Sequence, residues 1–436
     1  MTPAFSAGIF FCLLINSTPA WAYIGLGPLL PVLGSFLIYL FVVLMAVIGI
    51  LGYPIKRLLN RLKREKMESD DVFVDDGTRT ALMVDNKRQH GLEVISTFFL
   101  DHLSDLETLI LRRRLSATVS QPIFVCGLAR SNTTLLTHIL NSHPDTGSFL
   151  YRDLPFPSIP YFWSFFNTSY YRGKSLEQRI HRDALRVDPN SPDAFEETIW
   201  KKQLVDYTEG GFCRPLDQTY ENSVLMQSLK DSIRKILFIR GRKTRYLSKG
   251  NYNIFRLKFL LETFPDARIL LCIRNPVQQA MSMARVHGEF SRLATSDRSF
   301  GNKLESLGHF EFGPNRKPVT VNSDGCMRAE TFWAQGDDYR GYLQQWIDVY
   351  SFVRNHYLRD DEIKCQILLV NYGRFIADPT SEIRRIADFC HLETTETFLR
   401  NAADRVGSSP AYTARLDSGD QEDQAIKLYN DILNLV

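Results

Sequence analysis

Residues 121–145 read QPIFVCGLARSNTTLLTHILNSHPD, and this stretch decides the fold. Its first part, Gln121–Leu128, is a short and mostly apolar run, which is typical of a buried parallel strand. Gly127 and the polar residues after it end the strand. The next apolar residues recur on one face at helical spacing, from Leu135 to Leu140. The stretch therefore predicts a strand, a tight loop and a helix.

Similar units continue along the chain. Further strands are predicted at Phe149–Tyr151, Ala267–Ile273 and Gln366–Val370, and helices at His90–Arg114, Asn253–Phe264, Pro276–His287 and Pro379–Cys390. Strands that alternate with helices indicate a parallel sheet with helices on both faces. We therefore predict an α/β fold, a P-loop-like three-layer sandwich around a central parallel sheet, over residues 116–436. Residues 56–115 are predicted to form a juxtamembrane link and a helix.

The composition excludes several classes of protein. The chain has 436 residues, of which 44% are hydrophobic and 23% charged, and its net charge is +3. This charge is too small, and the basic residues too scattered, to predict nucleic-acid binding. The seven cysteines are odd in number and contain no CxxC pair, so we expect free thiols in a reducing compartment.

The N-terminal 55 residues carry no charged side chain. Residues 4–22 form an apolar run that ends in Ala20-Trp21-Ala22, which has the small-x-small form of a signal peptidase site. Residues 29–53 are then long enough and apolar enough to cross a bilayer as a tilted helix. We predict a membrane anchor at 29–53.

Six basic residues follow the predicted anchor between Lys56 and Lys66. The positive-inside rule keeps such a flank on the cytoplasmic side. Two topologies fit: either the first segment is cleaved and 29–53 remains as a single anchor, or the two segments form a hairpin. Both place the catalytic domain in the cytoplasm. The rival arrangement is an uncleaved signal-anchor with a lumenal domain, which the basic flank opposes.

The loop after the first strand has the chemistry of an anion site. Backbone N–H groups at the start of a helix attract anions. Arg130 adds a fixed cation, and Ser131, Thr133 and Thr134 add hydroxyl donors. A Walker A loop would have Gly-Lys-Ser/Thr here. Asn132 stands in that place instead, so a kinase or ATPase is disfavoured.

Residues 121–145 resemble the 5′-phosphosulfate motif of sulfotransferases that use 3′-phosphoadenosine 5′-phosphosulfate (PAPS), in the branch of the bacterial and tyrosylprotein enzymes. The usual form of that motif is close to PIFIxGxPRSGTTLLxxLLxxHPD. Ala129 replaces the usual proline and Asn132 the usual glycine. Asn tolerates a left-handed backbone better than most residues. The resemblance implies that Gly127 and residues 130–134 hold the phosphosulfate of PAPS.

Residues 253–282 resemble the 3′-phosphate motif of the same family, in which an arginine closes a strand and a serine follows eight residues later. Arg274 and Ser282 have that spacing. An arginine can grip a phosphate through two parallel hydrogen bonds. Lys249 precedes Arg274 by 25 residues, as does a lysine of the tyrosylprotein branch that helps to stabilise the transferring sulfonate. Tyr372 matches a tyrosine that lines the donor site.

The resemblance also implies a base that takes the acceptor's proton, usually a glutamate after the second strand. Asp153 stands there and is the candidate base. An equally good interpretation is structural, in which Asp153 caps a helix or pairs with Arg152. His181, Glu196 and Glu197 are fallback bases. Residues 161–200 and 285–333 are rich in aromatic and charged residues, and are expected to cover the acceptor or to pack on the surface.

We thus expect an enzyme that transfers a sulfonate group from PAPS to a hydroxyl or an amine, with Arg130, Asp153 and Lys249 as catalytic residues. The acceptor is expected to be a small molecule, a glycan or a lipid. No HExxH or close Cys/His cluster predicts a metal. Two alternatives remain: an inactive membrane protein that keeps the fold to bind a nucleotide or a partner, and a phosphoryl transferase that uses the same loop.

Overall fold

The computed structural model describes residues 97–154, 156–170, 177–178, 186–204, 215–216, 222–241, 243–296, 310–407 and 419–435. The predicted anchor at 29–53, the rest of the first 55 residues and most of the juxtamembrane link lie outside these ranges. Within the ranges, no helix has both the length and the apolar character needed to cross a membrane.

A five-stranded parallel sheet forms the centre of the fold. In chain order its strands are β1 (Ile123–Cys126), β2 (Thr146–Gly147), β5 (Arg245–Lys249), β6 (Arg268–Ile273) and β7 (Ile367–Asn371). Their spatial order is β2-β5-β1-β6-β7. The short strands β3 (Glu177–Gln178) and β4 (Arg186–Val187) form a separate antiparallel pair. The predicted α/β fold with a central parallel sheet is confirmed.

Both faces of the sheet are covered, which explains why the strands have apolar residues at nearly every position. Phe124 and Cys126 of β1 pack into one cluster of buried side chains, whereas Ile123 and Val125 pack into the other. Successive side chains of a strand point to opposite faces, so a strand covered on both sides must be apolar at each position.

Helices occupy the two faces. The larger cluster takes side chains from Ser223–Ile239, Leu257–Thr263, Pro276–Ser296, Asp338–His356 and Gly419–Asn434. The smaller cluster takes side chains from Thr133–Asn141, Tyr372–Ala377, Pro379–Phe389 and Glu396–Ala403. The other α-helices of the described chain are Thr97–Leu111, Pro160–Tyr170, Glu197–Gln203, Ser323–Ala334 and Asp361–Lys364.

Two strand predictions differ from the structure. The second strand is Thr146–Gly147, not Phe149–Tyr151, because the chain turns at Leu150 and residues 151–153 form a 3-10 helix. Phe149 and Leu150 are buried as predicted, but they lie beyond the strand end, where Leu150 forms an isolated bridge with Pro192.

Strand β5, Arg245–Lys249, is missing from the prediction because three of its five residues are polar. All five are nevertheless buried. Arg245 donates from Nε to the Gln121 carbonyl at 2.9 Å and from Nη1 to the His391 carbonyl at 3.2 Å, and Lys249 pairs with Asp193. Smaller corrections concern two helices. Asn253–Phe264 is divided into a 3-10 helix, Asn251–Phe255, and an α-helix, Leu257–Thr263, and the helix that begins at Pro276 continues to Ser296.

Candidate active site

The predicted site residues lie along the carboxyl edge of the sheet, because each follows the end of a parallel strand. Lys249 ends β5, the loop from Gly127 follows β1, Arg274 follows β6 and Tyr372 follows β7. The strand order therefore places them in a row, with the loop at the centre. The chain leaves β1 first toward β5 and β2, and later crosses to β6. Ligands of open α/β sheets bind at such a switch point.

The loop after β1 has two residues in the left-handed region: Arg130, with a φ of 70°, and Asn132, with a φ of 85°. Asn132 is the N-cap of the helix Thr133–Asn141. Left-handed residues in such a loop turn successive N–H groups toward one side and form an anion-binding concavity. The residue that replaces the usual glycine thus adopts the conformation for which glycine is normally selected.

Gly127 lies where the loop crosses β6, and its φ is 142°. A Cβ atom at this position would lie 2.5 Å from the Cys272 carbonyl oxygen and 2.8 Å from Ser131 Oγ. Only glycine fits there. The Ser131 hydroxyl is fully buried and has no hydrogen-bond partner among the described residues. A buried polar atom needs a partner, so this hydroxyl fits an anionic ligand held by the loop.

Arg130, Arg274 and Ser282 meet between β1 and β6. Arg130 Nε donates to Ser282 Oγ at 3.1 Å, and Arg274 Nη1 donates to the Arg130 carbonyl oxygen at 3.3 Å. The Arg274 guanidinium carbon lies 4.4 Å from the centroid of the Tyr372 ring. The structure thus brings together four residues that are separated by up to 242 positions in the sequence.

Gln279 and Asn251 also support the loop, and the sequence prediction missed both. Gln279 Nε2 donates to the carbonyl oxygens of Leu128 at 3.2 Å and Ala129 at 2.8 Å. Asn251 Oδ1 accepts from Thr133 Oγ1 at 3.2 Å. Gln279 lies one turn into the helix after Arg274, and helical spacing alone could have placed it near the loop. No local pattern indicates Asn251.

A buried carboxylate continues this network. Asn251 Nδ2 donates to Glu311 Oε1 at 3.1 Å, and the main-chain carbonyl oxygen of Glu311 accepts from the Tyr342 hydroxyl at 2.8 Å. The first helical turn after the loop is therefore tied through Asn251 to the segment around residue 311. Thr134, the remaining predicted hydroxyl, lies half-buried in that same turn.

Asp153 is fully buried beyond the end of β2. Its Oδ2 atom accepts from the Leu150 N–H at 2.7 Å and forms an ion pair with Arg240. The first contact is that of a residue that caps a turn, and the second neutralises its charge. Both contacts favour a structural role for Asp153. Its ion-pair partner is Arg240, whereas the sequence suggested Arg152.

Lys249 contacts a carboxylate that the sequence prediction missed. Its Nζ atom lies 2.5 Å from Asp193 Oδ1, and Asp193 Oδ2 accepts from the Tyr151 hydroxyl at 3.2 Å. Asp193 is separated from Lys249 by 56 residues. The pairing depends on how residues 188–193 fold over the strand ends. No sequence motif predicts that arrangement.

The fallback bases divide in two. His181 lies outside the described residues. Glu196 accepts from Trp200 Nε1 at 2.7 Å and from the Tyr246 hydroxyl at 2.6 Å, and burial raises its pKa above the ordinary value. Glu197 is paired with Arg256, whose two terminal nitrogens donate to it at 2.5 and 2.9 Å. Both glutamates therefore hold the helix Glu197–Gln203 to the core.

The described part of the chain contains no group of three or more His, Cys, Asp or Glu residues that could hold a metal ion. It has five free cysteines in all, of which Cys126, Cys272, Cys326 and Cys390 are buried and Cys365 is exposed.

Residues 122–309 match the model of a protein family that is described as the sulfotransferase family. This segment includes β1 and the loop after it, β5, β6 and the helix that carries Ser282. The match confirms the resemblance to sulfotransferases that the two donor motifs predict. No curated protein matches the chain in sequence at a significant level.

Several solved structures of sulfotransferases are similar to this chain. STF1 from Mycobacterium tuberculosis H37Rv is 14% identical, with a TM-score of 0.40, over 76% of this chain and 82% of that protein. STF9 from Mycobacterium avium is 14% identical, with a TM-score of 0.45, over 77% and 81%. Mouse SULT7A1, solved in complex with PAP, is 13% identical, with a TM-score of 0.29, over 77% and 88%.

Proposed function

We propose that this protein transfers a sulfonate group from PAPS to a hydroxyl or an amine of an acceptor. The observation that carries the proposal is the junction of Arg130, Ser282 and Arg274 between the ends of β1 and β6. Two guanidinium groups and the Ser282 hydroxyl meet there, at the switch point of a parallel sheet. PAPS has a phosphosulfate at one end and a phosphate at the other, so its binding site needs a cation for each end.

The residues fit the two ends of the donor separately. Gly127 and residues 131–134 supply the close backbone approach, N–H groups and hydroxyls suited to the phosphosulfate, and the buried Ser131 hydroxyl needs a partner there. Arg274 and Ser282 are suited to the 3′-phosphate, and Tyr372 packs against the Arg274 guanidinium from the far side. When bound, PAPS supplies an activated sulfonate.

The cations of this site serve the reaction through their charge. Arg130 and Lys249 lie on adjacent strand ends, and negative charge develops on the oxygen that leaves the sulfur. Fixed cations in a partly dry site stabilise such charge without having to reorganise. This role requires no metal ion, and we propose none.

The acceptor is proposed from the N-terminal sequence. An anchor at 29–53, with its basic flank in the cytoplasm, would hold the catalytic domain close to the cytoplasmic face of a membrane. A lipid headgroup or a lipid-linked glycan would then be the acceptor that is nearest to the site.

The proposal is tested by incubating the full-length protein with PAPS that carries ³⁵S in the sulfonate, together with a membrane lipid extract. We expect label in the lipid or glycan fraction and release of PAP, both lost in Arg130→Ala. Transfer of a phosphoryl group from ATP instead of sulfonate from PAPS would contradict the proposal. Binding of PAP without any turnover would favour the inactive membrane protein.

A further inference from the structure

The reaction needs a proton acceptor beside the sulfonate, and four carboxylates of the described chain lie near the β2–β5 end of the sheet edge: Asp153, Asp193, Glu196 and Glu197. Asp153 caps a turn and pairs with Arg240. Glu196 is held by a tryptophan and a tyrosine, and Glu197 by Arg256. Asp193 differs from these because its partner is Lys249, the cation proposed to meet the developing charge.

We infer that Asp193 is the catalytic base of this enzyme and takes the proton of the acceptor; the inference rests on the proposed sulfonate transfer. It assigns to Asp193 the role that the sequence suggested for Asp153. The contact between Asp193 and Lys249 at 2.5 Å is the observation that carries it.

The position of Asp193 is fixed by the backbone around it. Tyr151 N–H donates to the Ser191 carbonyl at 3.1 Å, and Arg152 N–H donates to the Pro189 carbonyl at 2.9 Å. Leu150 and Pro192 form an isolated bridge between the same two segments. Asp193 is thereby held beside the residues that follow β2.

The side chain of Asp193 is held on both sides. Oδ1 accepts from Lys249 Nζ and, at 2.8 Å, from the Ala194 N–H, while Oδ2 accepts from the Tyr151 hydroxyl. A base that is oriented by its neighbours meets the acceptor in one geometry, which is what efficient proton transfer requires. Asp193 retains 8% of its surface exposed, whereas Asp153 retains none.

Lys249 links the base to the donor site. Its strand partner is Val125 of β1, one residue before Cys126 and the phosphate loop. An ammonium group has three N–H donors, so Lys249 can contact Asp193 and a sulfonate oxygen at the same time. The same cation then orients the base and stabilises the charge on the group in transfer.

The acceptor oxygen or nitrogen forms a bond to sulfur while the bond between sulfur and the bridging oxygen of PAPS breaks. The electron pair of the broken bond leaves with PAP, and the acceptor proton moves to the Asp193 carboxylate. No oxidant, reductant or metal is consumed.

The experiment compares three alanine variants of the full-length protein: Asp193→Ala, Asp153→Ala and, as a control, Asp388→Ala, at an exposed aspartate of the helix Pro379–Phe389. PAP release from PAPS is measured with water as the acceptor and again with a membrane lipid extract, and PAP binding is measured by calorimetry. We expect Asp193→Ala to lose about 100-fold or more of turnover with PAP affinity unchanged. Asp388→Ala is expected to keep the wild-type turnover.

Added formate separates a base from a positioning residue. A small carboxylate can take the place of the missing side chain, so formate should restore turnover in Asp193→Ala and leave Asp153→Ala unchanged. Rescue of Asp153→Ala alone, or wild-type turnover in Asp193→Ala, overturns the inference. If Asp193→Ala does not fold, Asp193→Glu must retain more turnover than Asp193→Asn, and the reverse order overturns the inference.

The two proposals fail in different ways. A wild-type protein that neither binds PAP nor releases it from PAPS removes the proposed function and the inference with it. If the wild-type protein and the Asp193→Ala variant turn over PAPS equally well, only the assignment of Asp193 as the base is contradicted.

Discussion

The two sides of the sheet edge differ in how their residues are held. On the β1–β6 side, the loop and Arg274 directly follow strands, and their contacts join residues that local motifs already single out. On the β2–β5 side, Asp153 and Lys249 also follow strands, but their partners, Arg240 and Asp193, come from elsewhere in the chain. The β1–β6 side, which is the proposed donor side, is thus built from local units. The β2–β5 side, which is the proposed acceptor side, is built from pairs of residues that are distant in the chain.

This difference predicts distinct responses to substitution. Changes to the side chains of Arg130, Arg274 and Ser282 on the proposed donor side should reduce binding or turnover while leaving the fold intact, because these side chains are proposed to face PAPS. Changes to the buried pairs on the proposed acceptor side should reduce stability, and at Asp193 they should reduce turnover per folded molecule as well. The following variants test that division.

The largest effect is expected for Asp153→Ala. It leaves the Arg240 guanidinium, which is only 7% exposed, without its carboxylate. Removal of one partner of a buried ion pair costs about 3–5 kcal/mol. Urea unfolding should show this loss, while turnover per folded molecule stays close to wild type. Full stability combined with lost turnover would reverse the roles of Asp153 and Asp193.

Arg130→Ala is expected to reduce turnover by about 100-fold or more, because it removes the cation that we propose stabilises the leaving oxygen. PAP release from PAPS measures the effect, and the exposed Arg112→Ala serves as the control. The melting temperature should stay near that of the wild type. Unchanged turnover would remove Arg130 from the catalytic set.

Gly127→Ala is expected to destabilise the protein by about 2–3 kcal/mol, because the new methyl group would meet the Cys272 carbonyl oxygen. Gly288→Ala is its matched control. Gly288 lies within a helix with open space around it, and alanine there should stabilise by about 0.5–1 kcal/mol. Equal effects of the two changes in thermal melts would contradict the close crossing of the loop over β6.

His287 lies further along the helix that carries Ser282. Burial, with the Arg316 guanidinium nearby, lowers its pKa to about 4. The unfolded histidine titrates near 6.5, so the unfolded chain binds more protons between pH 4 and 6.5. Stability should therefore fall as the pH is lowered through this window. Urea unfolding at pH 7 and pH 5 should show a smaller loss in His287→Gln, and an equal loss would exclude His287 as a cause.

The smallest effect is expected for Asn132→Gly, which restores the usual residue of the family motif. Asn132 already adopts the left-handed conformation that glycine favours. PAP affinity should change by less than about 5-fold, since less than about 1 kcal/mol separates the two residues in that conformation. A large gain in affinity would mean that the asparagine side chain obstructs the donor.

The same division explains what the sequence could predict. β1, the loop, β6, Arg274 and Ser282 follow from apolar runs and short spacings, because residues that are close in the chain form each unit. β5 was missed because its buried polar residues, such as Arg245, are satisfied by distant carbonyl groups. β2 was placed three residues late, because burial of Phe149 and Leu150 does not require a strand. Asp193 could not be found, since it reaches Lys249 only through the turn that packs on Tyr151.

The most direct measurement of the central claim is a calorimetric titration of the full-length protein with PAP, beside ATP, repeated with Arg274→Ala. Recognition of a 3′-phosphate by Arg274 predicts tight binding of PAP, weaker binding of ATP, and loss of the preference for PAP in the variant. A folded wild-type protein that does not bind PAP, or an Arg274→Ala variant that binds it as tightly as the wild type, would contradict the assignment of this sheet edge as a PAPS site.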